Sequence, residues 1–235
     1  MKKTTAGALL VLLSAAALAH ADEPKLPQLD LFYDVSWGGV GVGQTEFRLA
    51  PDPSGPDCYT YDSLTHPGAL VSIFYGSPQQ RAWFCVRAGH IVPRQMVSSG
   101  AGKNYTLRFD WNNDVVSGGR NGPRALPKGA VDPLSLQQAV RLWAIAQAQA
   151  APVADDGEFV LVDDHNIQTD VFRITGRDRV TVPFGSFDTV IVERIDNPHK
   201  VVRFWAAPAL DWMPVKALQK RDDGPTLEMK LASKR

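Results

Sequence analysis

The chain has 235 residues, with 25 Lys and Arg against 25 Asp and Glu, 44% hydrophobic and 21% charged. Balanced charge excludes the basic surplus of a nucleic-acid binder, and the composition excludes a disordered chain. The length suits a single domain.

Lys2 and Lys3 precede an apolar stretch from Ala6 to Leu18, and Ala19-His20-Ala21 places small residues around a cleavage point. This pattern predicts a secretory signal peptide over 1–21, cut after Ala21. The apolar core is shorter than the roughly 20 residues of a membrane span. The expected mature domain is 22–235, soluble and periplasmic, and no Cys lies near Ala21 to take a lipid.

Period-two alternation then dominates. Leu29, Leu31, Tyr33, Val35 and Trp37 share one face, and Gly38-Gly39 predicts a hairpin turn. The next strand sets Phe47 and Leu49 against Gln44, Glu46 and Arg48. Tyr105, Leu107, Phe109 and Trp111 alternate with Asn104, Thr106, Arg108 and Asp110; Leu227, Met229 and Leu231 repeat the pattern near the end. About a dozen such runs predict antiparallel strands with one dry and one wet face. A short helical turn is expected over 68–75, and 51–56 and 118–127 read as loops.

One segment departs from this pattern. Asp132 suits a helix N-cap and Pro133 the first helical position. Leu136, Val140 and Trp143 then recur at helical spacing, with Ala139 and Ala146 on the same side, until Pro152. The expected architecture is mainly β: one curved antiparallel sheet, an open or half barrel, with one amphipathic helix inserted near 132–150. The helix is expected to bury its stripe on the concave face.

Cys58 and Cys85 form an even pair in an oxidising compartment, which favours a disulfide. By strand parity Cys58 falls with Thr60 and Asp62, and Cys85 with Arg81, Trp83 and Arg87. Both thiols thus sit on the more polar faces of strands that a cross-link could join.

Several segments together resemble the bacterial domain-of-unknown-function family 3108, a group of exported proteins. They are Tyr33 with Gly41 and Gly43, Pro93, Phe109-Asp110-Trp111, Asp132 with Ser135, Gly185-Ser186-Phe187-Asp188-Thr189-Val190, and Trp205, Pro208, Leu210 and Pro214-Val215. The resemblance implies the fold and the compartment and brings no established activity. The cysteines and the insertion over 68–78 depart from the family pattern and suggest a subgroup. The terminal strand-turn-strand is also similar to periplasmic lipoprotein carriers, whose half-barrels hold acyl chains; that likeness rests on architecture.

No catalytic constellation is legible. Gly39-x-Gly41-x-Gly43 lacks dinucleotide spacing and reads as a hairpin. Asp163-Asp164-His165-Asn166 reads as a polar turn, no histidine pair has zinc spacing, and no Gly-x-Ser-x-Gly elbow occurs. Neither cofactor nor metal is implied. Gly185 to Ile191 predicts a central strand apolar on both faces. The expected function is binding an amphipathic or lipid-like envelope molecule between helix and sheet. Leu136, Val140, Trp143, Phe109, Trp111, Phe187 and Trp205 are the candidate lining. One alternative is an envelope interaction or assembly factor with a filled core. Another is a carboxylate-dependent hydrolase using Asp110 or Asp188.

Overall fold

The computed structural model describes residues 25–68, 77–100, 104–149 and 156–235. The expected signal peptide lies outside the described residues, as does nearly all of the short helical turn expected over 68–75.

Fourteen strands form one antiparallel sheet that does not close into a barrel. In chain order they are β1 (Leu29–Trp37), β2 (Val40–Pro51), β3 (Cys58–Pro67), β4 (Gln79–Arg87), β5 (His90–Ser99), β6 (Tyr105–Asp110), β7 (Val115–Gly118), β8 (Arg124–Ala125), β9 (Gly157–Val162), β10 (Ile167–Val182), β11 (Gly185–Arg194), β12 (Lys200–Ala207), β13 (Met213–Arg221) and β14 (Leu227–Lys234). The spatial order is β8-β7-β6-β5-β4-β3-β2-β1-β14-β13-β12-β11-β10-β9. Every neighbour is consecutive in the chain except β1 with β14. That seam runs from Leu31↔Lys234 to Trp37↔Leu227.

The alternation read from the sequence is the burial pattern in most of β1 and in β6, while Trp37 at the end of β1 is exposed and only Leu231 of the run Leu227, Met229 and Leu231 is buried. Leu29, Leu31, Tyr33 and Val35 of β1 are buried, as are Leu107 and Phe109 of β6. Gly38 and Gly39 join β1 to β2 with φ of 59° and 85°, left-handed values that side-chain-bearing residues rarely adopt. The segment 118–127, expected as loop throughout, contains the end of β7 and the two-residue β8, which pairs Val115↔Ala125. Cys58 and Cys85 face each other across β3 and β4 and are joined by a disulfide. Although they share the polar face, both are buried, with Gly55 and Arg87 close over Cys58.

The helix α1 (Ser135–Gln149) sits between β8 and β9 in the chain. Asp132 caps it: its Oδ1 accepts from the backbone N–H of Leu134 and Ser135 at 2.9 and 2.8 Å, and its Oδ2 from the Ser135 hydroxyl at 2.5 Å. The Asp132 carboxyl is wholly buried, and burial pushes its pKa up against the pull of those bonds. Just before the cap, Val131 bridges in parallel to β9, donating to Val160 O at 2.8 Å and accepting from Val162 N at 2.9 Å. The helix touches Tyr61 of β3, β5, β9 and the backbone of Asp211. Both halves of the sheet therefore curve around it.

Candidate functional site

Beside the N-terminal half of α1 lies a cleft of about 530 Å³, its floor and walls supplied by α1, β10, β12 and β13, with the turn at 163–165 and single residues of β4, β6, β9 and β11 at its rim. Register builds it. Ile174↔Val192, Val192↔Phe204 and Phe204↔Ala217 make an apolar row across four strands. Two residues further along, the rows become Phe172↔Arg194 and Val202↔Gln219, then Lys200↔Arg221. Because successive same-face residues lie two apart, Gln168-Asp170-Phe172 and Lys200-Val202-Phe204 both run from a polar mouth to an apolar floor.

The floor is aromatic. Phe172 and Phe204 stack at 6.3 Å, Phe159 meets Phe172 edge-on at 5.8 Å, and Trp143 meets Phe159 edge-on at 6.2 Å. Leu136 and Val140 of α1 close the helix side.

The mouth carries both signs of charge in bonded pairs. Arg194 Nη2 lies 2.9 Å from Asp170 Oδ1 and 2.5 Å from Asp196 Oδ2, and Gln168 Nε2 donates to Asp170 at 2.8 Å. Burial pushes the Asp170 carboxyl up against the attraction of Arg194. Arg120 Nε pairs with Asp164 Oδ2 at 3.0 Å, and its backbone N–H donates to Asp164 Oδ1 at 3.1 Å. Burial, with Asp132, Asp164 and Asp163 adding repulsion, pushes the Tyr105 hydroxyl up to about 12. The residues 163–166 form the expected turn, where Asp163 Oδ1 accepts from the N–H of His165 and Asn166.

Directly beneath the helix, between α1 and the strands, the space is about 40 Å³. The helix fills the concave face, so the roomy site lies beside it and not under it. The seven candidate lining residues separate accordingly. Leu136 and Val140 reach the cleft. Trp143 packs on Phe159 and against Gly157, where an added Cβ would lie 2.7 Å from its ring. Phe109 and Trp111 stack at 6.2 Å in the main core, and Trp111 Nε1 donates to Pro93 O at 2.7 Å. Phe187 and Trp205 fall on the other face of the sheet. Ile191↔Trp205 is the row next to Val192↔Phe204, and neighbouring rows face opposite ways. Trp205 is buried there with Lys216 Nζ 4.7 Å from its ring centre. Phe187 stacks on Phe184 at 6.0 Å. The strand after Gly185 is thus apolar on both faces, as expected, with a different cover on each.

Asp110 and Asp188 are far from forming a pair. Asp110 is exposed and closes a turn, accepting from Asn113 and Asn112, bonds that hold its carboxyl below the usual range. Asp188 is exposed and pairs with Arg179 at 2.9 Å.

Sequence reading missed the cleft-forming residues of β10 and β12. Their signal was present as two runs of the same polarity gradient, Gln168-Asp170-Phe172 and Lys200-Val202-Phe204. It also missed Gln138 and Arg141, which stand with Ser135 at threefold spacing on the most buried line of α1. Ala146, placed with the apolar stripe, is exposed.

An open antiparallel sheet curved around one capped helix, with an amphipathic cleft at its side, defines a β-barrel-like domain. The chain belongs to the family described as "Protein of unknown function (DUF3108)", which matches residues 33–232. A solved structure similar to it is a β-barrel-like protein of the domain of unknown function DUF1849 from Brucella abortus. That likeness has 12% identity and a TM-score of 0.56, covering 89% of this chain and 98% of the other. MucB is similar at 14% identity and a TM-score of 0.35 over 93% of this chain and 55% of the other. A protein from Parabacteroides distasonis is similar at 9% identity and a TM-score of 0.37 over 91% and 97%. No curated protein matches the chain. Among the described residues no helix is long and apolar enough to cross a membrane.

Proposed function

We propose that this chain is an exported periplasmic protein that binds an amphipathic envelope molecule in the cleft beside α1. One observation carries the reading: a cleft of about 530 Å³ whose strands run from charged mouth to aromatic floor. That volume lies in the range of small-molecule sites, and the lining is amphipathic, with Leu136, Val140, Phe172 and Phe204 at the floor and many charged and amide side chains around them. A hydrocarbon chain would lie against Phe172, Phe204, Val140 and Leu136, and a polar head would meet the charged mouth. Trp143 supports the floor through Phe159.

The test is organic extraction and mass spectrometry of the purified protein, followed by melting in the presence of chain-bearing amphiphiles. Val202→Arg places a charge on the half-buried wall without touching the helix cap. It should abolish retained amphiphile and any ligand-induced rise in Tm while the ligand-free Tm stays near wild type. A wild-type protein that carries no amphiphile and shows no Tm rise with any of them would overturn the reading.

A second reading, an envelope interaction factor, draws on the exposed tip of the β1–β2 hairpin, where Trp37 and Val40 are 51% and 68% exposed. Crosslinking from Val40 in the intact envelope would separate the two.

A further inference from the structure

Arg141 lies on the buried line of α1 with 4% of its surface exposed. Its Nε donates to Asp211 O at 2.6 Å and its Nη1 to Gln138 Oε1 at 2.9 Å. Among the described residues no carboxylate forms an ion pair with it. The Asp211 carboxylate attracts it through space without an ion-pair contact. A guanidinium taken out of water with no carboxylate in contact is costly, and neutral hydrogen bonds offset that cost only in part.

Its surroundings sharpen the imbalance. Tyr61 and Tyr33 also lie close enough to act on it, and both are buried. Burial raises both of their pKa values well above normal, so they remain neutral phenols. Their protons are already committed, Tyr33 donating to Pro214 O at 2.7 Å and Tyr61 to Gln137 Oε1 at 3.0 Å. Gln138 is 1% exposed, and its Nε2 has no partner in good hydrogen-bond geometry among the described residues, although its amide lies close enough to the Tyr61 hydroxyl to pull that phenol's pKa down. Its orientation is fixed, because Arg141 can only donate and therefore takes the amide oxygen. The amide N–H₂, with two protons and only the Tyr61 oxygen near it, is left an under-used donor, and such a group ordinarily finds an acceptor.

Cation and under-used donor both border the space of about 40 Å³ between α1 and the strands. That is room for a single compact acceptor and not for a bulky one. The space shares Gln137, Val140 and Phe204 with the larger cleft, so the two adjoin.

We infer that Arg141 and Gln138 form a buried receptor for one compact anionic group. The group is either a free halide or the carboxylate head of a single-chain amphiphile whose tail lies in the adjoining cleft. The amphiphile source rests on the binding function proposed above; the halide source does not. In both, the anion neutralises Arg141 and accepts from Gln138 Nε2. A purely neutral occupant would satisfy the amide and leave the charge uncompensated.

The experiment melts the full chain at constant ionic strength while gluconate is replaced by chloride or bromide. A parallel series in gluconate adds laurate or dodecyl maltoside, which share a twelve-carbon chain and differ in head charge. A saturable rise in Tm of about 3–5 °C at tenfold over Kd is expected from halide, from laurate, or from both in competition. Gln138→Glu supplies a carboxylate to Arg141 from within the chain, so it should hold or raise the Tm and remove the anion response. Arg141→Met should also remove the response. If Arg141→Met does not fold, Gln138→Glu carries the test. The inference is overturned if neither halide nor laurate raises the wild-type Tm, or if Gln138→Glu keeps the full response. Laurate and dodecyl maltoside acting equally, with no halide effect, would sink the anion receptor and leave the amphiphile cleft standing. Halide acting alone would do the reverse.

Discussion

Replacing Cys58 and Cys85 together by Ala should lower stability by about 3.5 kcal/mol. The bridge closes a loop with a sequence separation of 27. On the chain-entropy relation that restricts the unfolded chain by about 12 cal/mol/K, or about 3.5 kcal/mol at 25 °C. The folded sheet loses little, because Tyr59↔Phe84 and Thr60↔Trp83 pair beside the bridge and keep β3 on β4. The assay is urea unfolding of the oxidised protein and the double variant, extrapolated linearly to water. Amide exchange should show the β3–β4 ladder still protected in the variant. A loss below about 1 kcal/mol would refute the reasoning, since it would mean the bridge scarcely restricts the unfolded chain. Two titratable thiols in the native protein would refute it more directly.

Asp132→Ala should cost about 1–2 kcal/mol through the lost helix cap, and Asp132→Asn less, because Asn also accepts from the first-turn N–H groups; chemical unfolding compares them. Gly157→Ala should cost about 1–3 kcal/mol and shift tryptophan emission, because the new methyl meets Trp143 at 2.7 Å and Phe159 at 2.9 Å. Glu228 is partly buried, which raises its pKa, but bonds from Lys230 and Lys216 outweigh that and leave it below the usual value. A depressed folded pKa gives stability present above the unfolded carboxylate pKa and lost as pH falls through the folded one. The wild-type advantage over Glu228→Gln should therefore be seen near neutrality, stay under about 1 kcal/mol, shrink with salt and vanish in acid; melting against pH measures it.

The strands were legible because a strand with one dry face writes its burial into every second residue, as β1 and β6 do. The helix start was legible because capping is local: Asp132 and Pro133 carry the signal within two residues. The disulfide was legible from the even cysteine count, with parity placing both partners on the more polar faces of strands that the structure pairs. The cleft was not legible in the same way. It depends on how far β10, β11, β12 and β13 slide past one another, and a bulge at Trp205/Ala206 shifts that register without a local mark. For the same reason Trp205 and Phe187, apolar enough to line a cavity, face away from the helix. Arg141 escaped notice because a lone cation in a helix is ordinarily solvated, and its burial follows only from both halves of the sheet closing on α1.

The β1–β14 seam bears on the order in which the molecule can be made. Strands β2 to β8 and β9 to β13 each pair with a sequence neighbour, so each meander can zip as soon as its next strand is available. β1 is different: its second ladder requires β14, about 200 residues further on, as in Leu31↔Lys234. Until that last strand arrives, one edge of β1 and one of β13 are unpaired, and open edges of this kind recruit other chains. The final docking is a non-local step with a large closure entropy, and it sets a slow phase in refolding. A truncation of β14 alone should accordingly yield aggregation rather than a slightly weakened fold. The two outermost strands of the finished sheet, β8 and β9, flank the helix in the chain, and Val131 covers part of the outer edge of β9, so a chain opened within the helix and joined at its native ends would keep every strand pair.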